Sequence, residues 1–577
     1  MRTDSLLFVF FRRMRVPLIM LISAYAIATL GFTLMPGVDD QGRPWRMSLF
    51  EAFYVVSYTG STIGFGEVPY PFSSAQRMWT VVSIYLTVIA WLFSISSIIS
   101  LLQDPAFTRA MRRSQRSRSV RGLSQPFYLV CGHGDTGRLL VAALTGSGHP
   151  VVVIDWVAEK IETLEVEDLG APVTAFTMDA ARPDNLVEAG LRSRWCAGVI
   201  AVTGDDQINL KVALTARLLN HSVSVHARAT QAEVADNLRS FQTDTVVHPV
   251  EEFERRLELA LHRPDLMRLY NWMFSGPHAR PRPLRPLPEG RWIVCGWTEV
   301  GRVAVQQLRT AGREVVLIDP DAERPDRPSD YPDAAVAGTG TQAETLHAAG
   351  IDAAVGLIAA GNSDANNLST VMTARQLAPE LFVIARENGH SMHELFRAAG
   401  CDLIAEPAVV VAGVMLGRIR STLVEPFING MLTEDNAWAR LLLARLLRQQ
   451  RTAPPELSAG RISARRAPAL VRALKAGRRV TVGDMLRNPR RRDRALPLTL
   501  LLLHREGENL LLPEADTELQ VGDRLLLAGR SRDAAQVQSM LEVDGVLDYI
   551  LTGQRRPQGW VWQRLAGVDA ETGRAAD

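Results

Sequence analysis

The sequence predicts a membrane α-helical unit of two spans and a re-entrant helix, joined to two α/β units in tandem and a small α+β carboxy-terminal lobe. Three observations carry this. Two long runs without charge lie in the first 104 residues, one strand–glycine turn–helix–strand–acid pattern occurs twice, and short apolar strands follow residue 480. At 577 residues, and roughly 150 residues per domain, about four structural units are expected. The net charge of +2 is unevenly placed. Residues 1–104 hold seven Arg and six acids, residues 105–124 hold six Arg and no acid, and the remainder is acidic by five charges. Such a chain is not disordered, collagen-like or a small disulfide scaffold. Cys131, Cys196, Cys295 and Cys401 show no metal-ligand spacing and fit packed thiols in a reducing cytosol.

Residues 17–35 and 78–102 are long and apolar enough to cross a hydrocarbon core. The first run shows no small-residue cleavage site and a second span follows it, which argues against a cleaved signal peptide. Arg12, Arg13 and Arg15 precede the first span, while Arg109, Arg112, Arg113, Arg116 and Arg118 follow the second. By the positive-inside rule both termini are cytoplasmic, in a multi-pass protein of the cell (inner) membrane. The apolar stretch 47–58 between the spans is too short to cross and fits a re-entrant helix, with pore helix and filter together at 47–67.

After that stretch stands Ser61-Thr62-Ile63-Gly64-Phe65-Gly66-Glu67. Backbone outside a helix survives at membrane depth only where it is buried in protein or lines a water-filled path. Two glycines spaced by one residue let successive carbonyls turn toward an axis, where they replace an ion's hydration shell. The string resembles the filter of tetrameric potassium channels, Thr-Val-Gly-Tyr-Gly-Asp. The resemblance implies K+ held by Thr62, Ile63, Gly64, Phe65 and Gly66, and four copies around one pore. Phe65 lacks the tyrosine hydroxyl that tethers a filter to its pore helix, and Glu67 replaces Asp. Relatives often bend the inner helix at a glycine, but none occurs between Gly66 and Gly122, so a bend there must use Ser or Thr, or gating lies elsewhere, for instance at the filter.

Phe127-Tyr128-Leu129-Val130-Cys131 reads as a buried strand before Gly132-His133-Gly134-Asp135-Thr136-Gly137 and a helix, and residues 151–154 read as a second strand ending in Asp155. This is the dinucleotide-binding fingerprint: glycines admit phosphate to a helix N-terminus and the acid holds ribose hydroxyls. Gly296, Gly301 and Asp319 repeat Gly132, Gly137 and Asp155 at an offset of 164. Asp364, Asn367, Arg386 and Pro407 repeat Asp206, Asn209, Arg228 and Pro249 at 158. The second copy is therefore six residues shorter after Asp319.

Residues 125–430 resemble the regulator of potassium conductance (RCK) family, whose Rossmann-like domains hang below channel pores. The resemblance implies a first nucleotide site of Gly132, His133, Gly134, Asp135, Thr136, Gly137, Asp155, Trp156, Asp179, Ala180, Thr203, Gly204 and Arg228. It implies a second of Gly296, Trp297, Thr298, Glu299, Val300, Gly301, Asp319, Thr339, Gly361 and Arg386. Thr298 stands where the first copy has Gly134, and crowds a pyrophosphate. The first is the better nucleotide site, and Asp135 there favours a dinucleotide such as NAD over a triphosphate, an adenine nucleotide remaining the alternative. Residues 251–262 and 409–423 are expected to pack across to a neighbouring domain. Asp205, Asp206 and Glu387 are candidates for a divalent cation, with solvated loop acids the favoured reading; no metal site is assigned.

The expected organisation is a pore at 1–104, a basic linker at 105–124, RCK domains at 125–274 and 291–430 around a proline-rich spacer at 275–290, a helical connector at 431–479, a C-terminal RCK lobe at 480–552 and a tail at 553–577. Gly522-Asp523 before a strand resembles the carboxy-terminal lobe of potassium-transport regulators. Arg465-Arg466 and Arg490-Arg491-Arg492 lack aromatic interleaving and suit a solvated face, or one near anionic lipid, better than nucleic acid. The reading is a homotetrameric ligand-gated potassium channel, in contact with membrane lipid and not an enzyme. A non-selective cation channel and a non-conducting nucleotide-sensing membrane regulator are the alternatives. A membrane-tethered oxidoreductase ranks below them because neither copy is followed by an evident catalytic domain.

Overall fold

A computed structural model of the chain describes residues 3–274, 285–450 and 454–554, in two units, Met1–Gly122 and Leu123–Asp577. Most of the proline-rich spacer (275–284) and of the tail (555–577) lies outside the described residues.

The first unit contains α1 (Thr3–Leu34), α2 (Leu49–Gly60), α3 (Ser74–Gln103) and α4 (Pro105–Arg121). Phe11–Leu34 and Ser74–Gln103 are the two spans. Ser48 with Glu51, and Ser73 with Gln76, form capping boxes that fix where α2 and α3 begin. Along α3, Gln76, Ser83, Thr87, Ala90 and Ser94 are buried, so the packed face is small or polar. Small residues let backbones approach closely in a membrane. Ser94 Oγ donates to the Pro17 carbonyl at 3.2 Å, and Trp79 Nε1 to that of Ala28 at 3.0 Å. A Cβ on Gly31 would lie 1.9 Å from the Trp79 ring, which is why that position carries none. The opposite face exposes Val81, Tyr85, Ile89 and Leu92, a surface suited to lipid or to further copies.

The inner helix α3 runs unbroken to Gln103 and ends at Asp104, whose extended backbone precedes Pro105. Proline disfavours helix at the residue before it, so the break falls here and not at a Ser or Thr within the span. Asp104 also pairs with Arg13, tying the start of α1 to the end of α3. The expected basic linker is itself helical to Arg121.

The second unit holds two parallel six-stranded sheets. The first comprises β1 (Phe127–Cys131), β2 (Val151–Asp155), β3 (Val173–Thr177), β4 (Cys196–Ala201), β5 (Ser224–Arg228) and β6 (Thr245–Val247), in the order β3-β2-β1-β4-β5-β6. The second comprises β7 (Arg291–Cys295), β8 (Glu314–Asp319), β9 (Ala335–Ala337), β10 (Ala354–Ala359), β11 (Phe382–Arg386) and β12 (Leu403–Ala405), in the equivalent order β9-β8-β7-β10-β11-β12. Strand order reverses beside β1 and β7, the switch points where such sheets take ligands.

The two copies exchange helices. Pro249–His262, after the first sheet, packs on Glu299–Thr310 of the second copy, and Pro407–Arg420, after the second sheet, packs on Asp135–Gly146 of the first. Val411, Val414 and Met415 share one core with Leu140, Val141 and Leu144. Their apolarity serves this interface: Pro407–Arg420 and Val424–Thr433 are hydrophobic enough to resemble a span but bend by 118° and lie buried.

Cys131, Cys196 and Cys295 are buried, and burial raises the Cys196 and Cys295 thiols to about 12, as expected of packed thiols. His226, within β5, is 3% exposed, and burial lowers it from 6.5 to about 4. A depressed folded value means the unfolded chain takes up the proton first as pH falls. The stabilisation is therefore complete above the ordinary histidine value and is lost between it and about 4. We expect a stability loss of ~2 kcal/mol between pH 7 and 5 from this group, read as a falling denaturation midpoint and absent in His226→Asn. Equal slopes for both chains would refute it.

The carboxy-terminal lobe is an antiparallel sheet in the order Glu456–Arg461, Arg524–Gly529, Thr499–Arg505, Glu508–Leu511. Its first strand lies inside the expected connector at 431–479; Glu-Leu-Ser-Ala-Gly-Arg is too polar to announce itself as a strand. Gly522 takes a left-handed φ of 103°, and the buried Asp523 carboxylate receives two Arg505 hydrogen bonds, both 2.8 Å. Arg492 caps a helix by donating to the Ile550 and Leu551 carbonyls, so it does not belong to a solvated or lipid-facing patch.

Candidate functional site

In the first unit, left-handed φ values recur at every second residue of the string after α2: Thr62 (61°), Gly64 (66°) and Gly66 (90°). Alternating handedness turns successive carbonyls to one side, as a carbonyl-lined ion path requires. Phe65 stacks on Tyr54 with centroids 6.2 Å apart and meets Tyr58 edge-on at 5.6 Å. Tyr58 Oη donates to the Gly66 carbonyl at 2.6 Å. The hydroxyl missing from Phe65 thus comes from α2, and the tether runs in the opposite direction. Glu67 receives Arg77 Nε at 2.8 Å and the Phe72 amide at 2.8 Å; the Arg77 hydrogen bond, with that amide's, holds its carboxyl below the usual range.

In the second unit, Gly132, Gly134, Asp135, Thr136, Asp155, Trp156, Asp179, Ala180, Thr203, Gly204 and Arg228 line one cavity of about 610 Å³. His133 and Gly137 stand behind it. The His133 amide donates to Asp155 Oδ2 at 2.7 Å and the Val157 amide to Oδ1 at 2.8 Å, while burial lowers the His133 imidazole. A Cβ on Gly132 would lie 2.7 Å from the Thr203 amide, and one on Gly137 only 2.0 Å from the Gly132 carbonyl. Those glycines are required by packing. A Cβ on Gly134, in contrast, would meet nothing within 4 Å, so this glycine opens onto the cavity at a helix N-terminus. Trp156 is 80% exposed beside the acid.

Several residues of the lining escaped the reading of the sequence. Lys160, from the helix Ala158–Val166, reaches 4.0 Å from Asp155. Asn388, Pro407 and Ala408 of the second copy complete the wall. The helix exchange brings Pro407 and Ala408 there, Asn388 arrives on the loop after β11, and no local motif marks either.

The second copy is built differently. Thr298 occupies the Gly134 position as helix cap, accepting from the Gly301 amide at 3.2 Å and donating to the Ala360 carbonyl at 2.7 Å. A loop, 320–334, replaces the helix that carries Lys160, and Tyr331 Oη donates from it to Asp319 at 3.0 Å. Burial and this bond raise the phenol far above its ordinary value. Trp297 packs on Tyr331 with centroids 4.9 Å apart. The groups expected around a ligand here therefore bind one another. Gly296 and Gly301 keep the packing roles of Gly132 and Gly137, and Thr339 bonds Thr341. Gly361 bonds Asn367, and Arg386 bonds Asn362. Glu299, Val300 and Arg386 line a separate cavity of about 280 Å³ with Arg228 and Arg256.

Two acids considered for a cation have structural work. Asp205 caps a helix by accepting from the Gln207 and Ile208 amides, and the buried Asp206 accepts from Thr230 N, Thr230 Oγ and Gln231 N at 2.7–2.9 Å. Asp364 makes the equivalent bonds to Asn388 and Gly389. These carboxylates latch the loop after β5 or β11 to the start of the helix that precedes that strand. Asp206 is thus neither a solvated loop acid nor poised to take an ion.

Fold and site together define a two-span channel domain followed by paired Rossmann-like domains. The ion channel family model matches residues 19–104, and the TrkA-N domain model matches 128–249 and again 292–407. The chain thus carries one ion channel family segment followed by two TrkA-N domains. Potassium channel protein 1 of Methanocaldococcus jannaschii is 25% identical over 200 residues, 35% of this chain and 58% of that relative. The Voltage-gated potassium channel Kch of Escherichia coli is 24% identical over 208 residues, 36% of this chain and 48% of that relative. The chain thus spans about half the length of these curated relatives. Among solved structures, the GsuK channel bound to NAD is 18% identical, with 93% of this chain and 99% of that one covered at a TM-score of 0.46.

Proposed function

We propose that the chain is one quarter of a ligand-gated potassium channel of the cell membrane. Four copies enclose one pore, both termini are cytoplasmic, and eight RCK domains form a ring. The observation that carries this is the alternation of left-handed backbone at Thr62, Gly64 and Gly66, between a short capped helix and a spanning helix. One pair of spans cannot enclose a pore, and the exposed apolar face of α3 gives further copies a surface. The relatives named as potassium channels support the choice of ion, and the Tyr58 tether answers the departure at Phe65.

The gating ligand is NAD, or an adenine nucleotide, in the first copy. Its phosphates approach through the space over Gly134, its ribose hydroxyls meet Asp155 and its base lies near Trp156. Asp135, first residue of that helix, opposes a terminal phosphate and favours the dinucleotide. The second copy is structural toward nucleotide, its acid being taken by Tyr331. Ligand shifts the pore only by binding the open and closed rings with different affinity.

Purified chain in liposomes tests the proposal. Potassium flux should change with NAD concentration and exceed sodium flux at least tenfold. Equal fluxes would make the pore non-selective, and absence of any flux would make the protein a non-conducting regulator.

A further inference from the structure

Arg228 and Arg386 hold the same place in the two copies, 158 residues apart, each ending the strand before a latched loop, β5 or β11. The fold brings both to one cavity of about 280 Å³, which the exchanged helices Pro249–His262 and Pro407–Arg420 help to wall. Arg228, Asn388 and Pro407 also line the nucleotide cavity, whereas Arg386 does not.

A buried guanidinium ordinarily gives its N–H groups to acceptors, and one left unpaired costs its desolvation. The Nε atoms of Arg228 and Arg386 are both buried without an acceptor. The acids that act on them, Asp206 on Arg228 and Asp364 on Arg386, are already taken by Thr230 and Gln231 and by Asn388 and Gly389. Burial therefore lowers both guanidinium groups from the usual arginine value. Arg386 Nη1 reaches only a neutral acceptor, Asn362 Oδ1, at 2.9 Å. The rest of the lining indicates what completes them. Arg256 makes a third arginine against Glu299 and Glu406, an excess of one positive charge. Both acids have other attachments: Glu406 meets His393 at 3.0 Å, and Glu299 stands in the first turn of its helix, where the dipole favours it. The remaining walls are largely apolar, with Phe253, Leu257 and Met267 from the first copy and Val300, Ile384 and Val410 from the second.

We infer that this cavity binds a small monocarboxylate with an apolar body, its carboxylate received by Arg228 and Arg386 and its hydrocarbon part by the walls. Guanidinium forks match a carboxylate in geometry, and the pairing is charge-assisted. A few placed polar groups in an apolar hollow are the general pattern of small-ligand sites, whose volumes begin at about 300 Å³. A phosphate monoester would bring two charges against a surplus of one and against apolar walls that cannot solvate the second. A dinucleotide is too large, since the volume is less than half that of the nucleotide cavity. One arginine ends a strand of the first sheet and the other a strand of the second, so a ligand reaching both ties the two sheets together. The site stands whether or not the first copy holds nucleotide.

Full-length chain in detergent, dialysed to equilibrium against labelled hexanoate, provides the test. One saturable hexanoate per chain is expected, and no saturable binding would overturn the site. Hexanamide, of the same size but uncharged, should compete at least tenfold less well, because it forgoes the charge-assisted bonds. Equal competition would make the cavity a merely apolar hollow and overturn the anion assignment. Acetate should also compete at least tenfold less well, and equal competition would overturn the apolar body. Arg386→Gln alters a residue that lines this cavity and not the nucleotide cavity. It should bind hexanoate at least tenfold more weakly, whereas unchanged affinity would put the carboxylate elsewhere and overturn its assignment here. The ligand comparisons use the unaltered chain and decide the proposal even where that variant folds poorly.

Discussion

Gly134→Thr is expected to abolish nucleotide binding by the first copy while leaving the fold intact. The protein already contains the control. Gly134 has φ −83° and ψ −165°, and Thr298, its counterpart, φ −85° and ψ 174°, so a threonine adopts this backbone without strain. A Cβ there meets nothing within 4 Å. The new hydroxyl can accept from the Gly137 amide as Thr298 does from Gly301, and glycine and threonine caps differ by only a few tenths of a kcal/mol. What the side chain fills is the space over the helix N-terminus. Loss of a charge-assisted phosphate contact costs about 1.5–3 kcal/mol, roughly a tenfold to hundredfold drop in affinity before steric exclusion is added. Calorimetric titration of NAD should thus detect no binding while the melting temperature is unchanged. Asp155→Ala should weaken NAD binding similarly but also soften the turn, since Asp155 holds the His133 and Val157 amides. Asp319→Ala should leave it unaltered, because Tyr331 occupies that acid. If Gly134→Thr binds NAD like the parent chain, the ligand lies elsewhere.

How much of this was legible in the sequence depended on range. The spans and the strand–glycine turn–helix units were readable because each is written in adjacent residues: no charge, or a strand followed by a tight turn. The 164 and 158 offsets even located the shortening in the second copy. Its consequence was not readable. Removing the helix that carries Lys160 frees Tyr331 to reach Asp319, and only a folded loop shows that contact. Asp206 looked like a loop acid because nothing local announces its partners, Thr230 and Gln231, more than twenty residues away. The Tyr58 tether was hidden for a different reason. Comparison with a tyrosine-bearing filter directed attention to the hydroxyl lost at Phe65, not to one supplied by the preceding helix.

That tether bears on the second large effect, loss of conduction in Gly64→Ala. Gly64 has a φ of 66°, and a Cβ there meets nothing within 4 Å inside the chain, so the cost is conformational. A non-glycine residue held left-handed costs roughly 1–2 kcal/mol, and four copies around one pore make that ~4–8 kcal/mol against the conducting arrangement. At about 1.4 kcal/mol per tenfold, the conducting population falls by roughly three to six orders of magnitude. Potassium flux in liposomes should drop below detection, while assembly and NAD binding persist because both belong to other parts of the molecule. Tyr58→Phe is the graded companion. It removes one hydrogen bond per copy, about 1 kcal/mol each, and leaves the aromatic packing of Phe65 in place. Flux should survive with potassium less strongly preferred over sodium, because the Gly66 carbonyl is no longer held. If Gly64→Ala conducts like the parent chain, the carbonyls of residues 62–66 do not line the ion path. If Tyr58→Phe keeps full selectivity, the filter is held by its neighbours in the assembly and not by its own pore helix.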